Sequence, residues 1–110
     1  MDELSTQLAQ AGFEAAINSR FELAVSGTTA TLPLELFEVT ARRAPAGYEQ
    51  YSALFRGPAA PLLPQATYVL THPVLGELPL FIVPIGSDAS GVTYEACVVR
   101  RTDATGGSKP

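Results

Sequence analysis

The sequence predicts a mainly β fold: a small six-stranded antiparallel barrel or sandwich with one short N-terminal helix. Three observations lead to this prediction. The chain has 110 residues, which is the size of one domain. Glycine and proline supply nine residues each, so turns are frequent and long helices have little room. Short runs that alternate between apolar and polar residues recur along the chain, and this period is typical of half-buried strands.

The first predicted element is a helix over residues 2–11. Asp2 is a suitable N-cap, Leu4 and Leu8 are spaced to lie on one helical face, and Gly12 is placed to end the helix. A helix of this length is marginally stable alone, so we expect it to dock on the sheet.

Six segments with a period of two follow, each bounded by glycine, proline or polar turn residues. Regular spacing of short strands predicts an antiparallel barrel or sandwich. The predicted strands are residues 21–26, 31–40, 51–56, 67–71, 78–85 and 92–100.

Two of these strands carry more specific signals. The alternation slips by one residue at Leu36 and Phe37, which predicts a bulge or bend there. Pro33 lacks an N–H group, so we expect its end of the strand to lie on an edge. The segment 80–83 (Leu-Phe-Ile-Val) is apolar at every position, which favours a central strand that is buried on both faces.

The ends of the chain and its cysteine set the expected location. Residues 1–101 are predicted to form one β domain, and residues 102–110 a flexible C-terminal tail. The start lacks the pattern of a secretory signal, and no apolar run is long enough to span a membrane. Cys97 is the only cysteine and is expected to be a buried, inert thiol. We therefore expect a cytoplasmic protein, or one assembled from the cytoplasm into a larger particle, with no membrane partner.

The charge of the chain bears on its partners. Eleven acidic residues against seven basic ones give a net charge of −4. A general nucleic-acid binder needs a clustered basic surface, so nucleic acid is not an expected partner.

No group of residues has the spacing of a catalytic or metal site. His72 is the only histidine, so any Ser-His or Cys-His pair must include it, yet its position before Pro73 in a predicted turn favours a structural role. One cysteine and one histidine are too few for a zinc site. The acidic residues are spread singly, and no glycine-rich loop has phosphate-binding spacing. The sequence therefore predicts no catalytic, cofactor-binding or metal residues and no cofactor.

The proline-rich connection over residues 57–65 is apolar for a loop, and apolar loop residues that stay exposed are typical of interfaces. We expect partner binding by four of its residues: Leu62, Leu63, Pro61 and Pro64. Just before it, Arg56 leaves an apolar strand into the Gly57–Pro58 turn and is predicted to brace the loop through carbonyl groups or a carboxylate such as Glu95. The predicted structural residues are Arg56, Gly57, Pro58, His72 and Glu95.

Five phrases in the second half of the chain occur together in a fixed order. They are YSALFRGP over residues 51–58, LPQATY over 63–68, HPVLG over 72–76, LFIVPIG over 80–86 and YEA over 94–96. In this order they resemble a family of small bacterial proteins known as a domain of unknown function, over roughly residues 13–101. The chain departs from the family pattern at Ala66, where glycine is usual.

The resemblance implies a small β-rich domain with no established activity. It also implies an accessory or structural role in phage-tail-like assemblies, because members occur beside tail-collar or tail-fibre-like proteins.

These observations favour a non-enzymatic structural or protein-interaction domain, accessory to or part of a larger assembly, with a protein partner or with other copies of itself. The alternative is a β-barrel that binds a small ligand or glycan, with tyrosines at its mouth. The tyrosines of this ligand-binding alternative are Tyr48, Tyr51, Tyr68 and Tyr94. A third hypothesis is a small hydrolase or isomerase that uses His72.

Overall fold

The computed structural model describes residues 8–25 and 29–101 and has the predicted mainly β fold. Residues 2–7 of the predicted helix and the predicted tail, 102–110, lie outside the described residues. The described elements are helix α1 (Gln10–Ala15) and strands β1 (Arg20–Ala24), β2 (Thr31–Arg42), β3 (Tyr48–Gly57), β4 (Ala66–His72), β5 (Gly76–Asp88) and β6 (Gly91–Arg101).

The six strands form one antiparallel sheet that closes on itself in the order β1-β2-β3-β6-β5-β4. Strands β3 and β4 are consecutive in the chain but stand opposite each other in this ring. The loop between them, residues 58–65, therefore crosses one end of the barrel. This crossing accounts for the length of the connection, and the burial of Leu63 accounts for part of its apolar character.

Helix α1 covers the other end of the barrel. Phe13 is fully buried, and its ring centroid lies 6.0 Å from that of Phe21 and 5.5 Å from that of Tyr51. Gly12 lies inside the helix, so the prediction that it ends the helix is wrong. A side chain at Gly12 would approach Leu75 at 3.3 Å, so this glycine serves the close packing of the helix on the β4–β5 turn.

Inward-facing side chains from all six strands fill the barrel. Three of the four tyrosines that were expected at a ligand-binding mouth, Tyr51, Tyr68 and Tyr94, lie in this core instead, because they fall on the inward phase of their strands. Only Tyr48 is exposed among the four. The largest fully buried side chains are Tyr51, Tyr94, Phe13, Phe21, Phe55, Leu23, Leu34, Leu36, Leu70, Leu78, Ile82 and Val92.

Strand β2 confirms the predicted irregularities. Its register with β3 shifts between Leu36 and Glu38, which is the bulge expected from the slip in alternation. The end that contains Pro33 pairs with β1 alone, because pairing with β3 begins only at Glu35. Proline is therefore tolerated there, since the missing N–H group interrupts no ladder with β3.

Strands β5 and β6 pair over only part of their length. Their pairs run from Asp88–Gly91 to Val83–Glu95. Beyond that point, residues 76–82 of β5 pair only with β4, and residues 96–101 of β6 pair only with β3. Over this part of the described chain the two strands are not joined by a ladder.

Near the β5–β6 turn, two glycines bring β3 and β6 close together. Gly91 has φ 146°, which L-residues rarely adopt, and a Cβ atom there would lie 2.3 Å from the carbonyl oxygen of Gly57. A Cβ atom on Gly57 would in turn meet the side chain of Leu34 at 2.6 Å. Both positions thus require the absence of a side chain, which supports the structural role predicted for Gly57.

We expect Gly91→Ala to lower the free energy of unfolding by about 2–4 kcal/mol, because alanine adds backbone strain and a clash with a carbonyl group that cannot move alone. Gly86→Ala is the matched control, since no atom lies within 4 Å of its added methyl group. It should change stability by no more than about 0.5 kcal/mol. Urea unfolding of the two variants measures both values, and equal midpoints would contradict the assigned contact.

Candidate functional site

One side of the barrel is almost free of charge. Residues 57–87 form the crossing loop, β4 and most of β5, and only Glu77 among them carries a formal charge. The other ten acidic residues and all seven basic residues lie elsewhere in the chain. Because β4 and β5 are neighbours in the ring, this segment, with its single charge, forms a continuous part of the surface.

The outward side chains of this segment are largely apolar and exposed. Phe81 is 51% exposed and Val69 is 42% exposed, and they lie opposite Thr67 and Pro79 respectively in the β4–β5 pairing. Side chains directly opposite on antiparallel strands are about 5 Å apart, so these four form one patch. We call the outward side chains Thr67, Val69, Pro79, Phe81, Val83 and Ile85 the β4–β5 face.

The exposure of Phe81 corrects the prediction that segment 80–83 is buried on both faces. Leu80 and Ile82 point into the core as expected, whereas Phe81 points outward into solvent. The outer face of a closed barrel is covered only if another layer packs on it, and among the described residues no such layer lies over β5. The apolar run over residues 80–83 therefore contributes apolar side chains to the outer surface as well as to the core.

The proline-rich loop divides its two leucines between core and surface. Leu63 is buried, and its N–H group donates to the hydroxyl oxygen of Tyr94 at 3.1 Å. The hydroxyl group of Tyr68 donates to the carbonyl oxygen of Pro64 at 2.6 Å. Leu62 is 60% exposed at the same end of the barrel as Ile85. Of the four loop residues predicted to bind a partner, Leu63 instead anchors the loop, while Leu62, Pro61 and Pro64 remain at the surface.

Arg56 contacts the β5–β6 turn and not the proline-rich loop or Glu95, which were its expected partners. Its guanidinium group donates to Ser90 at 3.0 Å and to Asp88 at 3.5 Å, and it lies 5.8 Å from the centre of the Phe37 ring. The hydroxyl and N–H groups of Ser90 hold the pKa of Asp88 below its usual value, with a smaller contribution from Arg56. Arg56 therefore fixes the β5–β6 turn rather than the proline-rich loop.

Glu95 belongs to a separate group of polar residues on β2, β3 and β6. It accepts hydrogen bonds from the buried hydroxyl of Ser52 and from Arg42, the latter at 3.2 Å. The hydroxyl of Ser52 is the main cause that lowers the pKa of Glu95. Cys97 lies beside this group and is exposed, so the predicted burial of its thiol is wrong. Partial burial and then the charge of Glu95 raise the pKa of the thiol, which favours its protonated form.

His72 is buried and makes the backbone contacts expected of a turn residue. Its Nδ1 atom accepts hydrogen bonds from the N–H groups of Val74 at 3.1 Å and Leu75 at 3.2 Å. An acceptor Nδ1 places the proton of the neutral ring on Nε2. The Nε2–H group therefore donates to Ser19 Oγ, 2.8 Å away, and Ser19 donates its own proton to the carbonyl oxygen of Ala16.

This direction of hydrogen bonding is opposite to that of a catalytic Ser-His pair, in which the ring accepts the serine proton. In this arrangement His72 supports the fold by joining the β4–β5 turn to the segment between α1 and β1. Sequence reasoning missed Ser19, because its partner lies 53 residues away in the chain.

A groove of about 460 Å³ lies on the outside of the barrel near Arg56. Its walls come from the start of β1, the start of β2 and the end of β3. Arg20, Glu35 and Arg56 follow one another across these strands in the register of the sheet. The groove is separate from the β4–β5 face and has both charged and apolar walls.

In residues 8–25 and 29–101, the single described helix has six residues and is too short to span a membrane. Among the described residues, no group of three or more histidine, cysteine, aspartate or glutamate side chains is placed to hold a metal ion.

The buried histidine predicts a specific dependence of stability on pH. Burial lowers the pKa of His72 below its usual value of 6.5, so the unfolded chain binds a proton more readily than the folded chain. We therefore expect stability to be complete above about pH 6.5 and to fall as the pH drops below it. The carboxylates with lowered pKa values, Asp88 and Glu95, act only at lower pH, below their usual values of 3.8 and 4.5.

Urea unfolding at pH 7.5 and pH 5.0 would measure this loss, and His72→Asn provides the comparison. The asparagine carbonyl oxygen can still accept from Val74 and Leu75 but does not titrate. In this variant the free energy of unfolding should fall much less between pH 7.5 and pH 5.0 than it does in the original chain. An unchanged decrease would assign the effect to other groups.

Comparison with known proteins places the chain in a family. The model of the family described as Domain of unknown function (DUF6916) matches residues 8–98. No curated protein and no solved structure gives a significant match. The matched range includes all of β1 to β5 and most of β6, which confirms the family resemblance found in the sequence. The chain belongs to this domain family of unknown function.

Proposed function

We propose that this chain is a non-enzymatic protein-interaction domain that works as an accessory or subunit of a larger assembly. The observation that carries the proposal is the β4–β5 face, an exposed apolar surface on a segment with a single formal charge. Contiguous exposed apolar patches are typical of protein interfaces, and the centres of interfaces are depleted of charged residues. A partner would remove Phe81 and Val69 from water without having to desolvate an ion.

The rigidity of the surface also supports this function. The strands of the face belong to a closed barrel, and the neighbouring loop is held by hydrogen bonds from Tyr68 and to Tyr94. A surface that is already ordered loses little conformational entropy when it binds. Leu62 is exposed at the same end of the barrel as Ile85 of the β4–β5 face, so we include the loop in the same proposed interface.

For the assembly itself we propose a phage-tail-like particle built from the cytoplasm. The support is the association with tail-collar and tail-fibre-like proteins that the family resemblance implies. The geometry is compatible with a small accessory subunit, because the interior of the barrel is filled and the apolar surface faces outward.

Capture of a partner from the native host tests the proposal. A tagged chain should recover one stoichiometric protein, and the double variant Phe81→Ser, Val69→Ser should recover about tenfold less of it. The reason is that both side chains are exposed in the free chain and become buried in the complex. Mass spectrometry identifies the partner, and quantified band intensities give its recovery.

Tyr48→Ser is the matched control, because Tyr48 is 43% exposed but lies on β3, outside the β4–β5 face. It should leave recovery unchanged, and all variants should keep the stability of the original chain within about 0.5 kcal/mol. If the double variant recovers as much partner as the control, the β4–β5 face is not the interface. If the original chain recovers nothing, the proposed function fails.

The groove near Arg56 favours a second candidate function, the binding of a small ligand or glycan. Its volume of about 460 Å³ falls within the usual range for ligand pockets, whereas the interior of the barrel is filled. Neutral sugars at millimolar concentration should then shift the amide NMR signals of Gly57 and Ser90 and leave that of Phe81 in place. Signals that stay unchanged for every sugar tested would reject this candidate for glycans.

A further inference from the structure

We propose that His72 is a pH-sensitive switch, whose protonation releases the β4–β5 turn and helix α1 from their end of the barrel while the strands stay paired. The hydrogen bonds of its ring join it to these two parts of the chain. Nδ1 accepts from the N–H groups of Val74 and Leu75, and Nε2–H donates to Ser19 Oγ. The residue is only 5% exposed, so the turn and the helix shield the ring from water. This inference goes beyond the proposed function and does not rest on it.

Protonation breaks the contact between the ring and the turn. The imidazolium ring carries a proton on both nitrogen atoms, so Nδ1 changes from an acceptor into a donor. The new Nδ1–H group then faces the N–H groups of Val74 and Leu75, which are donors themselves. Burial of a charged donor that faces donors is costly in free energy. The neutral ring therefore holds the turn closed, and the charged ring favours its opening.

The same ring connects the turn to helix α1. The Leu75 side chain packs against the core, and a Cβ atom added to Gly12 of the helix would meet it at 3.3 Å. On the other side of the ring, the Ser19 hydroxyl donates to the carbonyl oxygen of Ala16, which is the C-cap residue of α1. Movement of the turn therefore withdraws the side chain on which Gly12 packs, and it also disturbs the bond at the end of the helix.

Helix α1 depends on these contacts because it has little stability of its own. It has six residues, its N-cap residue Ala9 provides no side-chain cap, and neither its first nor its last turn carries a charge that would stabilise it. A helix this short is stable only when it is docked. Its anchor is Phe13, which packs on Phe21 and Tyr51, whereas the strands beneath it are joined by ladders. The turn and the helix are therefore the parts that open at the smallest cost.

The charged side chains that the structure describes on the elements around His72 do not bond to its ring. They are Glu14 on α1, Arg20 and Glu22 on β1, and Glu77 on β5. None of the four is buried, and Arg20 and Glu22 pair with each other at 2.6 Å. Burial lowers the pKa of His72 below 6.5, and opening restores the usual value because it returns the ring to water. The open form therefore gains population as the pH falls below 6.5.

Native-state hydrogen exchange, followed by NMR at low urea concentrations, tests the switch in the original chain. The amides of Phe13, Val74 and Leu75 should share one opening, with a smaller urea dependence than the amides of the β3–β6 ladder. Their opening constant, corrected for intrinsic exchange, should rise by up to about 30-fold from pH 7.5 to pH 5.0, since the open form has the usual pKa of 6.5.

Two results would overturn the proposal. In the first, Phe13 exchanges only through the opening that also exposes the β3–β6 ladder, so that the helix has no local opening of its own. In the second, the opening constants are equal at the two pH values.

His72→Asn is the matched control, because its carbonyl oxygen can still accept from Val74 and Leu75 but does not titrate. Its opening constants should change by less than about twofold between the two pH values. A rise as large as in the original chain would assign the opening to another group and reject the switch.

An NMR titration of the original chain needs no variant. The amide signals of Val74 and Leu75 should move with the same midpoint pH as the ring signals of His72, because one proton changes all three. The signal of Val92, which is buried near the other end of the barrel, should stay in place over this range. Different midpoints for the ring and the two amides would also overturn the proposal.

Discussion

The closure of six strands into a narrow ring is the constraint on which the rest of the structure depends. A ring of this size has an interior that side chains fill, and here rings and branched aliphatic chains from every strand occupy it. Closure also places β3 and β4 on opposite sides, so residues 58–65 have to cross one end while α1 covers the other. Because the described side chains fill the interior, both proposed binding functions use the outer surface of the barrel.

On that outer surface, charge is distributed unevenly. Ion pairs between described residues lie on β1, β2, β3, β6 and the last residue of β5. They join Arg20 to Glu22, Arg42 to Glu95, Arg56 to Asp88 and Arg100 to Glu49. Exposed ion pairs contribute little to stability, but they keep a surface hydrated. None of these ion pairs lies on the β4–β5 face. Exposure of its Phe81 and Val69 side chains to water is unfavourable in free energy, and contact with a partner would remove that cost.

The sequence was sufficient to predict the strands and the bulge after Leu36, because these follow from local alternation and turn residues. A short N-terminal helix docked on the sheet was also predicted, but over residues 2–11, whereas the described helix spans Gln10–Ala15 and contains Gly12. Prediction from the sequence failed for features that depend on contacts between elements distant in the chain. Phe81 was predicted to be buried, since an apolar run does not reveal whether another layer packs on the barrel. Glu95 and Arg56 were paired wrongly, because their true partners are set by register. A run of 31 residues with one formal charge, 57–87, was the signal in the sequence that could have identified the exposed face.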